Sequence, residues 1–135
     1  MQVPHLRILC TEDDPDTRAL LTLILSDGNC EVITSETHAS AVDLARTTHF
    51  DLYLLDNWVS GMSGIEMCET LRGFDTQTPI LFYSAAAYPQ DKAKAYASGA
   101  QSYLTKPVDN EELIAEVLRL VSESRKAQQG NSPEL

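Results

Sequence analysis

Short apolar runs alternate with segments of helical length five times along this chain, and that rhythm restricts the fold more than any other feature. The runs are Leu6-Arg7-Ile8-Leu9-Cys10, Cys30-Glu31-Val32-Ile33-Thr34, Asp51-Leu52-Tyr53-Leu54-Leu55, Ile80-Leu81-Phe82-Tyr83 and Ser102-Tyr103-Leu104-Thr105. The third and fourth are almost wholly apolar, which suits strands buried on both faces of a parallel sheet. Between the first two runs, Pro15 to Asp27 starts with Asp14 as N-cap and Pro15 at the first helical position, and it stops at Gly28. Ala19, Leu20, Leu23 and Ile24 fall at helical spacing there and predict its core face. Thr37 to Thr47 gathers Ala41, Val42, Leu44 and Ala45, and Gly64 to Arg72 carries Ile65, Met67, Cys68 and Leu71. Gln90 to Ser98 predicts a helix with Ala93, Tyr96 and Ala97 on one side and a stop at Gly99. The last helix follows Asp109, whose spacing to Glu112 permits a capping box, and runs through Leu113, Ile114, Val117, Leu118 and Val121. Strands alternating with helices specify an α/β, doubly wound (βα)5 domain around a five-stranded parallel sheet. Right-handed crossovers leave few strand orders for it.

At 135 residues the chain has room for one hydrophobic core. We place the domain at 5–125 and read 126–135, where the composition turns to Ala-Gln-Gln-Gly-Asn-Ser-Pro-Glu-Leu, as a polar tail or linker. An apolar content of 43% excludes a wholly disordered chain. Asp and Glu outnumber Lys and Arg by 20 to 10, so the net charge is −10. Such a surface repels nucleic-acid phosphates and anionic lipid, which argues against direct nucleic-acid or membrane binding. Met1–Cys10 lacks the apolar core of a secretion signal, and no run is long enough to span a bilayer. Cys10, Cys30 and Cys68 are odd in number and sit in apolar contexts, as buried reduced thiols of a cytoplasmic protein do. His5, His38 and His49 are scattered without metal-ligand spacing, and His49 reads as a surface residue.

In doubly wound sheets the site lies beyond the carboxyl ends of the strands. Here the first strand runs into Glu12-Asp13-Asp14, the third ends at Asp56, the fourth at Ser84, and the fifth is followed by Lys106-Pro107. Two unit charges ~5 Å apart at an effective dielectric near 20 repel by about 3 kcal/mol. A chain that gathers Glu12, Asp13 and Asp56 must therefore protonate one, separate them or bind a cation. Hard oxygen ligands with an incomplete shell are what Mg²⁺ accepts. Asp14, followed by proline, reads as a helix cap instead. Asp56 closes a buried apolar strand, where an unpartnered carboxylate is costly. A phosphoryl group at Asp56 would bring oxygens that the Lys106 ammonium neutralises and the Ser84 hydroxyl hydrogen-bonds. Singly, Ser84 reads as a turn residue and Lys106 as a surface lysine; their placement at one sheet edge makes them a set.

The same residues carry a resemblance. Leu9-Cys-Thr-Glu12-Asp13-Asp14-Pro15-Asp-Thr-Arg18, Asp51-Leu-Tyr-Leu-Leu-Asp56 with Met62-Ser63-Gly64, Ser84-Ala85, and Ser98-Gly99-Ala100-Gln-Ser-Tyr103-Leu-Thr-Lys106-Pro107 together resemble the receiver domain of two-component response regulators, from about His5 to Arg125. The resemblance implies a flavodoxin-like fold with strand order 2-1-3-4-5. It implies that Asp56 is the phosphoacceptor, taking a phosphoryl group from a phosphohistidine on a sensor histidine kinase or phosphotransfer protein. Asp13, Asp56 and the backbone carbonyl of Trp58 would ligate Mg²⁺, with Glu12 acting through a water, while Ser84 and Lys106 hold the product's oxygens. Tyr103 matches the aromatic whose rotamer follows the hydroxyl residue, and Lys106-Pro107 matches a cis peptide bond. The family's output face, the fourth helix, fifth strand and fifth helix, includes Tyr96, Tyr103 and Glu111–Glu112 here. Its partners would be a downstream effector or a fused output domain, with homodimerisation left open.

Ser60 stands where the family often has proline, which loosens a turn without removing chemistry. Trp58 and Ala86 stand two residues beyond Asp56 and Ser84, at positions that the resemblance implies face the phosphoryl group; neither offers a group to orient an attacking water, so the aspartyl phosphate is expected to hydrolyse slowly. The chain reads as a phosphorylation-controlled switch rather than an enzyme. One rival, an aspartate-nucleophile phosphatase, needs an acid where Trp58 stands. Another, a receiver-like adaptor that binds partners without phosphorylation, does not need the complete Glu12, Asp13, Asp56, Ser84 and Lys106 set. A flavodoxin-like cofactor binder lacks its phosphate loop after the first strand.

Overall fold

The computed structural model describes residues 5–59, 62–86 and 88–130, and at Trp58 and Val59 the backbone alone. Ten elements alternate as β1 (Leu6–Thr11), α1 (Pro15–Asp27), β2 (Cys30–Ser35), α2 (His38–Thr47), β3 (Leu52–Leu55), α3 (Gly64–Arg72), β4 (Ile80–Ser84), α4 (Pro89–Ser98), β5 (Ser102–Thr105) and α5 (Asn110–Gly130). A two-stranded antiparallel ribbon, Trp58–Val59 against Met62–Ser63, lies between β3 and α3. The sheet is parallel throughout, in the order β2-β1-β3-β4-β5. The order reverses beside β1 and puts the carboxyl ends of β1 and β3 next to each other, with Cys10 opposite Leu54 and Thr11 opposite Leu55.

The alternation of each central strand divides the core in two. Ile8, Cys10, Leu52, Leu54 and Leu81 face α1 and α5 and pack with Leu21, Leu25, Leu113 and Val117. Leu9, Tyr53, Leu55, Ile80 and Phe82 face the other way, onto Ala41, Met67, Cys68, Leu71 and Ala95 of α2, α3 and α4. Each strand feeds both layers, so a one-residue register slip would exchange them.

Helix starts obey their caps. The Asp14 carboxylate accepts from the Thr17 amide at 2.9 Å and from the Thr17 hydroxyl at 2.6 Å, with Pro15 after it. Thr37 and Ser63 cap α2 and α3 in the same way. At the end of α4, Gly99 has φ +119, a conformation costly for any residue with a Cβ, so the helix stops where glycine allows it.

The structure corrects two predicted helix faces. In α1 the core residues are Leu21, Ile24 and Leu25, while Leu20 is 55% exposed and Leu23 66%. The stretch Leu20-Leu21-Thr22-Leu23-Ile24-Leu25 is apolar nearly all round, so spacing fixes the period but not the phase. In α4 only Ala95 is buried, and Ala93, Tyr96 and Ala97 face outward; alanine carries too weak a signal to orient a helix. In α5, Leu120 joins the core while Leu118 is partly exposed. That helix continues to Gly130, so residues 126–130 of the stretch read as a polar tail are helical, and 131–135 lie outside the described residues.

Candidate functional site

Three strand ends meet at one ammonium. Lys106 Nζ donates to Glu12 Oε1 at 3.0 Å and to Asp56 Oδ2 at 3.1 Å, across sequence separations of 94 and 50 residues. The Glu12 and Asp56 side chains are 6% and 14% exposed and that of Lys106 is 24% exposed, so the pairs are largely shielded from water. The parallel register makes the meeting possible. Glu12 follows β1, Asp56 follows β3, and Lys106 follows β5, whose Thr105 pairs with Ser84. The Lys106 amide also donates to the Ser84 carbonyl at 2.9 Å, tying the ends of β4 and β5 together.

The charges do not balance. Burial alone would lower the Lys106 pKa, yet the Asp56 charge and the hydrogen bonds Lys106 donates to both carboxylates outweigh it and hold the ammonium above its ordinary range. Glu12 moves up as well, first because it is desolvated, although Lys106 and the Asp14 amide favour its charged form; Asp56 repels it. One cation shared by two acids is over-supplied with partners, while the buried acid is under-supplied. Asp13, next in sequence, is exposed and adds a third carboxylate to this edge. A donor set of hard oxygens with more negative than positive charge fits a divalent cation. Among the described residues, no three Asp, Glu, His or Cys side chains already converge as a ligand cluster.

Ser84 is buried at the end of β4, where its Oγ accepts from the Ala86 amide at 3.2 Å. Tyr103 is also buried, its hydroxyl donating to the Ala86 carbonyl at 2.7 Å and its ring stacked on Phe82. Both predicted residues therefore converge on the segment following Ser84. Asp14 caps α1 as expected, and the Lys106–Pro107 bond is cis. The three cysteines are free and buried, with burial, then Glu12, pushing the Cys10 thiol up to about 12. His49 is exposed beside Asp51. Ser60 and the Trp58 side chain, both weighed from the sequence, lie outside the described residues.

Two residues went unsignalled. Asn57 is buried directly after Asp56, and its Nδ2 donates to the Tyr103 hydroxyl at 3.2 Å. A polar residue after a strand reads as a turn, and only adjacency to Asp56 could have marked it. His38, at the first position of α2, is fully buried. Its Nδ1 donates to the Met62 carbonyl, and its Nε2 has no hydrogen-bond partner among the described residues. Desolvation lowers its pKa despite that bond. Gly64, which opens α3, supports the same segment: a Cβ there would lie 2.7 Å from the Asp56 carbonyl and 2.7 Å from Phe82.

Residues 8–118 match the family described as the response regulator receiver domain. This chain belongs to that family. The receiver domain is 36% identical over 120 residues to the cell cycle transcriptional regulator CtrA of Caulobacter vibrioides, covering 89% of this chain and 52% of that protein. It thus spans about half the length of the curated relatives it matches. Among solved structures, the chemotaxis response regulator CheY4 of Vibrio cholerae superposes with TM-score 0.79 at 28% identity, over 87% of this receiver and 99% of that chain. The receiver domain of sensor histidine kinase PA1611 from Pseudomonas aeruginosa, whose structure has magnesium coordinated in the active-site cleft, superposes with TM-score 0.82 at 23% identity, over 88% and 99%. The fold class and family expected from the sequence both hold.

Proposed function

We propose that Asp56 is the phosphoacceptor of this receiver domain and that its phosphorylation switches a partner-binding face. One observation carries the reading: the Lys106 ammonium lies 3.1 Å from Asp56 and draws in Glu12 from another strand end. A structural lysine needs one buried acid. A lysine shared between two, with Asp13 beside them, leaves the edge negative and suits a site that takes up further cationic and phosphoryl ligands.

In the reaction, an Asp56 carboxylate oxygen attacks the phosphorus of a phosphohistidine on a sensor kinase or phosphotransfer protein. The P–O bond forms as the P–N bond breaks, and the imidazole leaves with the electron pair. Lys106 follows the transferred group's negative charge, exchanging part of its contact with the Asp56 carboxylate for a phosphoryl oxygen. Ser84 turns its hydroxyl from the Ala86 amide toward another oxygen, and Tyr103, bonded to Ala86, responds. Asp13, Asp56 and the Trp58 carbonyl, with Glu12 through water, would hold Mg²⁺, which supplies charge neutralisation at the phosphoryl oxygens.

The chain is a switch whose chemistry ends at accepting and losing a phosphoryl group, and it acts in the cytoplasm. No helix among the described residues is long and apolar enough to cross a membrane. The receiving partner, a downstream effector or fused output domain, meets the face of α4, β5 and α5, where Tyr96 is 49% exposed. Incubation with Mg²⁺ and acetyl phosphate, followed by intact mass measurement, is expected to give one labile phosphate adduct that Asp56→Asn lacks. An unmodified parent, or an adduct persisting in Asp56→Asn, would favour the adaptor that binds partners unphosphorylated.

A further inference from the structure

The loop that follows Asp56 is gripped by an imidazole that arrives from another helix. His38 is the first residue of α2, and it is fully buried although burying an imidazole costs more than burying a hydrocarbon of its size. Its Nδ1 donates to the Met62 carbonyl. Met62 and Ser63 pair with Val59 and Trp58, so the ribbon carries that bond across to the Trp58 main chain. Burial lowers the ring's pKa, while the Met62 carbonyl, the Asp56 charge and the main chain of Asp56 and Ser63 oppose it, which sets the imidazole against both ends of the loop. The base of the grip is firm. Thr37 caps α2 by accepting from the Ser40 amide at 3.1 Å, the Ser35 hydroxyl donates to the Thr37 carbonyl at 2.9 Å, and Ala41, Val42 and Ala45 are buried in the core.

We propose that His38 is a positioning residue that fixes the ribbon from α2 and thereby places the Trp58 carbonyl for a divalent cation. The inference rests on reading the Asp56 edge as a phosphoacceptor site whose cation that carbonyl helps to hold. A ribbon with two residues on each side is not stable by itself, so its place is imposed by what it touches. A main-chain carbonyl has no rotamer with which to follow an ion, and Mg²⁺ tolerates little departure from octahedral geometry. The position of the ribbon therefore sets how well the carbonyl can serve. His38 supplies that position as a directed hydrogen bond, which a hydrocarbon of the same bulk cannot do.

Two variants separate the bond from the bulk. His38→Leu fills the space and removes the donor, whereas His38→Asn keeps an amide donor near the place of Nδ1 and loses bulk. The Gly64 amide closes the loop by donating to the Asn57 carbonyl at 2.9 Å, so its hydrogen exchange reports on the grip. Without divalent ions, that exchange is expected to quicken about fivefold in His38→Leu, the factor one net hydrogen bond is worth, and to stay near the parent's rate in His38→Asn. Calorimetric titration with Mg²⁺ is expected to give a Kd weakened by the same factor in His38→Leu and close to the parent's in His38→Asn. A role in packing alone reverses the order of the two variants. Any result in which His38→Asn does no better than His38→Leu overturns the proposal, and so does a His38→Leu with the parent's exchange rate or the parent's Kd. Intact mass after Mg²⁺ and acetyl phosphate tests the other reading on the same samples. A parent that takes no phosphate refutes the phosphoacceptor, while the grip is judged on exchange in the unmodified protein.

Discussion

Replacing Lys106 with methionine keeps the stem and removes the shared charge. At an effective dielectric near 20, each contact at ~3 Å is worth about 5 kcal/mol of gross attraction. The two carboxylate oxygens, both bonded to Nζ, lie within about 6 Å of each other and repel by about 3 kcal/mol at the same dielectric. Much of the attraction is offset by the desolvation of Lys106, so the net loss follows the behaviour of a broken buried pair, about 3–5 kcal/mol. With Lys106 24% exposed, the lower figure applies, and about 3 kcal/mol at pH 8 lowers Tm by about 10 °C.

The pH dependence separates this cause from lost packing. Glu12 sits above its ordinary value of 4.5, so its protonated form contributes stability that is full below that value and fades as pH rises through the raised one. Without Lys106, two influences that lower the Glu12 pKa disappear and it climbs further. The variant's deficit therefore widens between the parent's raised value and its own still higher one, and is complete above both. Urea unfolding of parent and variant at pH 5 and pH 8, at equal ionic strength and without divalent ions, measures the difference. A smaller deficit at pH 5 than at pH 8 is expected. A deficit identical at both, or below about 1 kcal/mol at pH 8, would show that Lys106 does not hold two acids together.

At the opposite end of β3, Tyr53 donates to Asp75 at 2.6 Å, and Tyr53→Phe is expected to cost about 1 kcal/mol at neutral pH. Burial raises the Asp75 pKa, but the Tyr53 hydroxyl and Thr78 more than offset it and hold the group at about 2. The bond's contribution is therefore present above 3.8 and fades as pH falls toward 2, and acid titration of the parent–variant difference checks it. Trp58→Asn is expected to shorten the lifetime of the Asp56 adduct by supplying an amide that orients water; an unchanged or longer lifetime, followed by intact mass against time, refutes slow hydrolysis by lack of such a group.

Most of the fold was legible because buried parallel strands leave nearly continuous apolar runs, and because Asp14-Pro15, Gly99 and the Ser63-Gly64 pair punctuate the helices chemically. What stayed hidden was phase. Leu20 and Leu23 fit a core face as well as Leu21 and Leu25 do, and only packing against β1, β3 and α5 chooses between them. The site divided along similar lines. Glu12, Asp56, Ser84 and Lys106 were readable because each ends or follows a different strand at one edge, and Tyr103, inside β5, was readable only through the family resemblance. Asn57 and His38 were not, because their roles consist of bonds to Tyr103 and to the Met62 carbonyl, made across 46 and 24 residues of chain. Sequence adjacency carries no record of such partners.

The topology explains why an uneven charge set persists in an otherwise well-packed domain. Glu12 and Asp56 are neighbours only because β1 and β3 pair in parallel, so their carboxyl ends, with those of β4 and β5, open on one edge. Two acids carried there by the hydrogen-bond register cannot separate without breaking the sheet, and one lysine relieves only part of their repulsion. Asparagine or glutamine at either position would relieve the rest and leave the strands intact, so the fold does not require these acids. On the function proposed above, a divalent cation would offset the excess negative charge, and a phosphoryl group at Asp56 would draw Lys106 from the Asp56 carboxylate and Ser84 from the Ala86 amide, whose residue's carbonyl accepts from Tyr103. The imbalance is thus local and electrostatic, confined to the ends of β1, β3 and β5 that meet at Lys106.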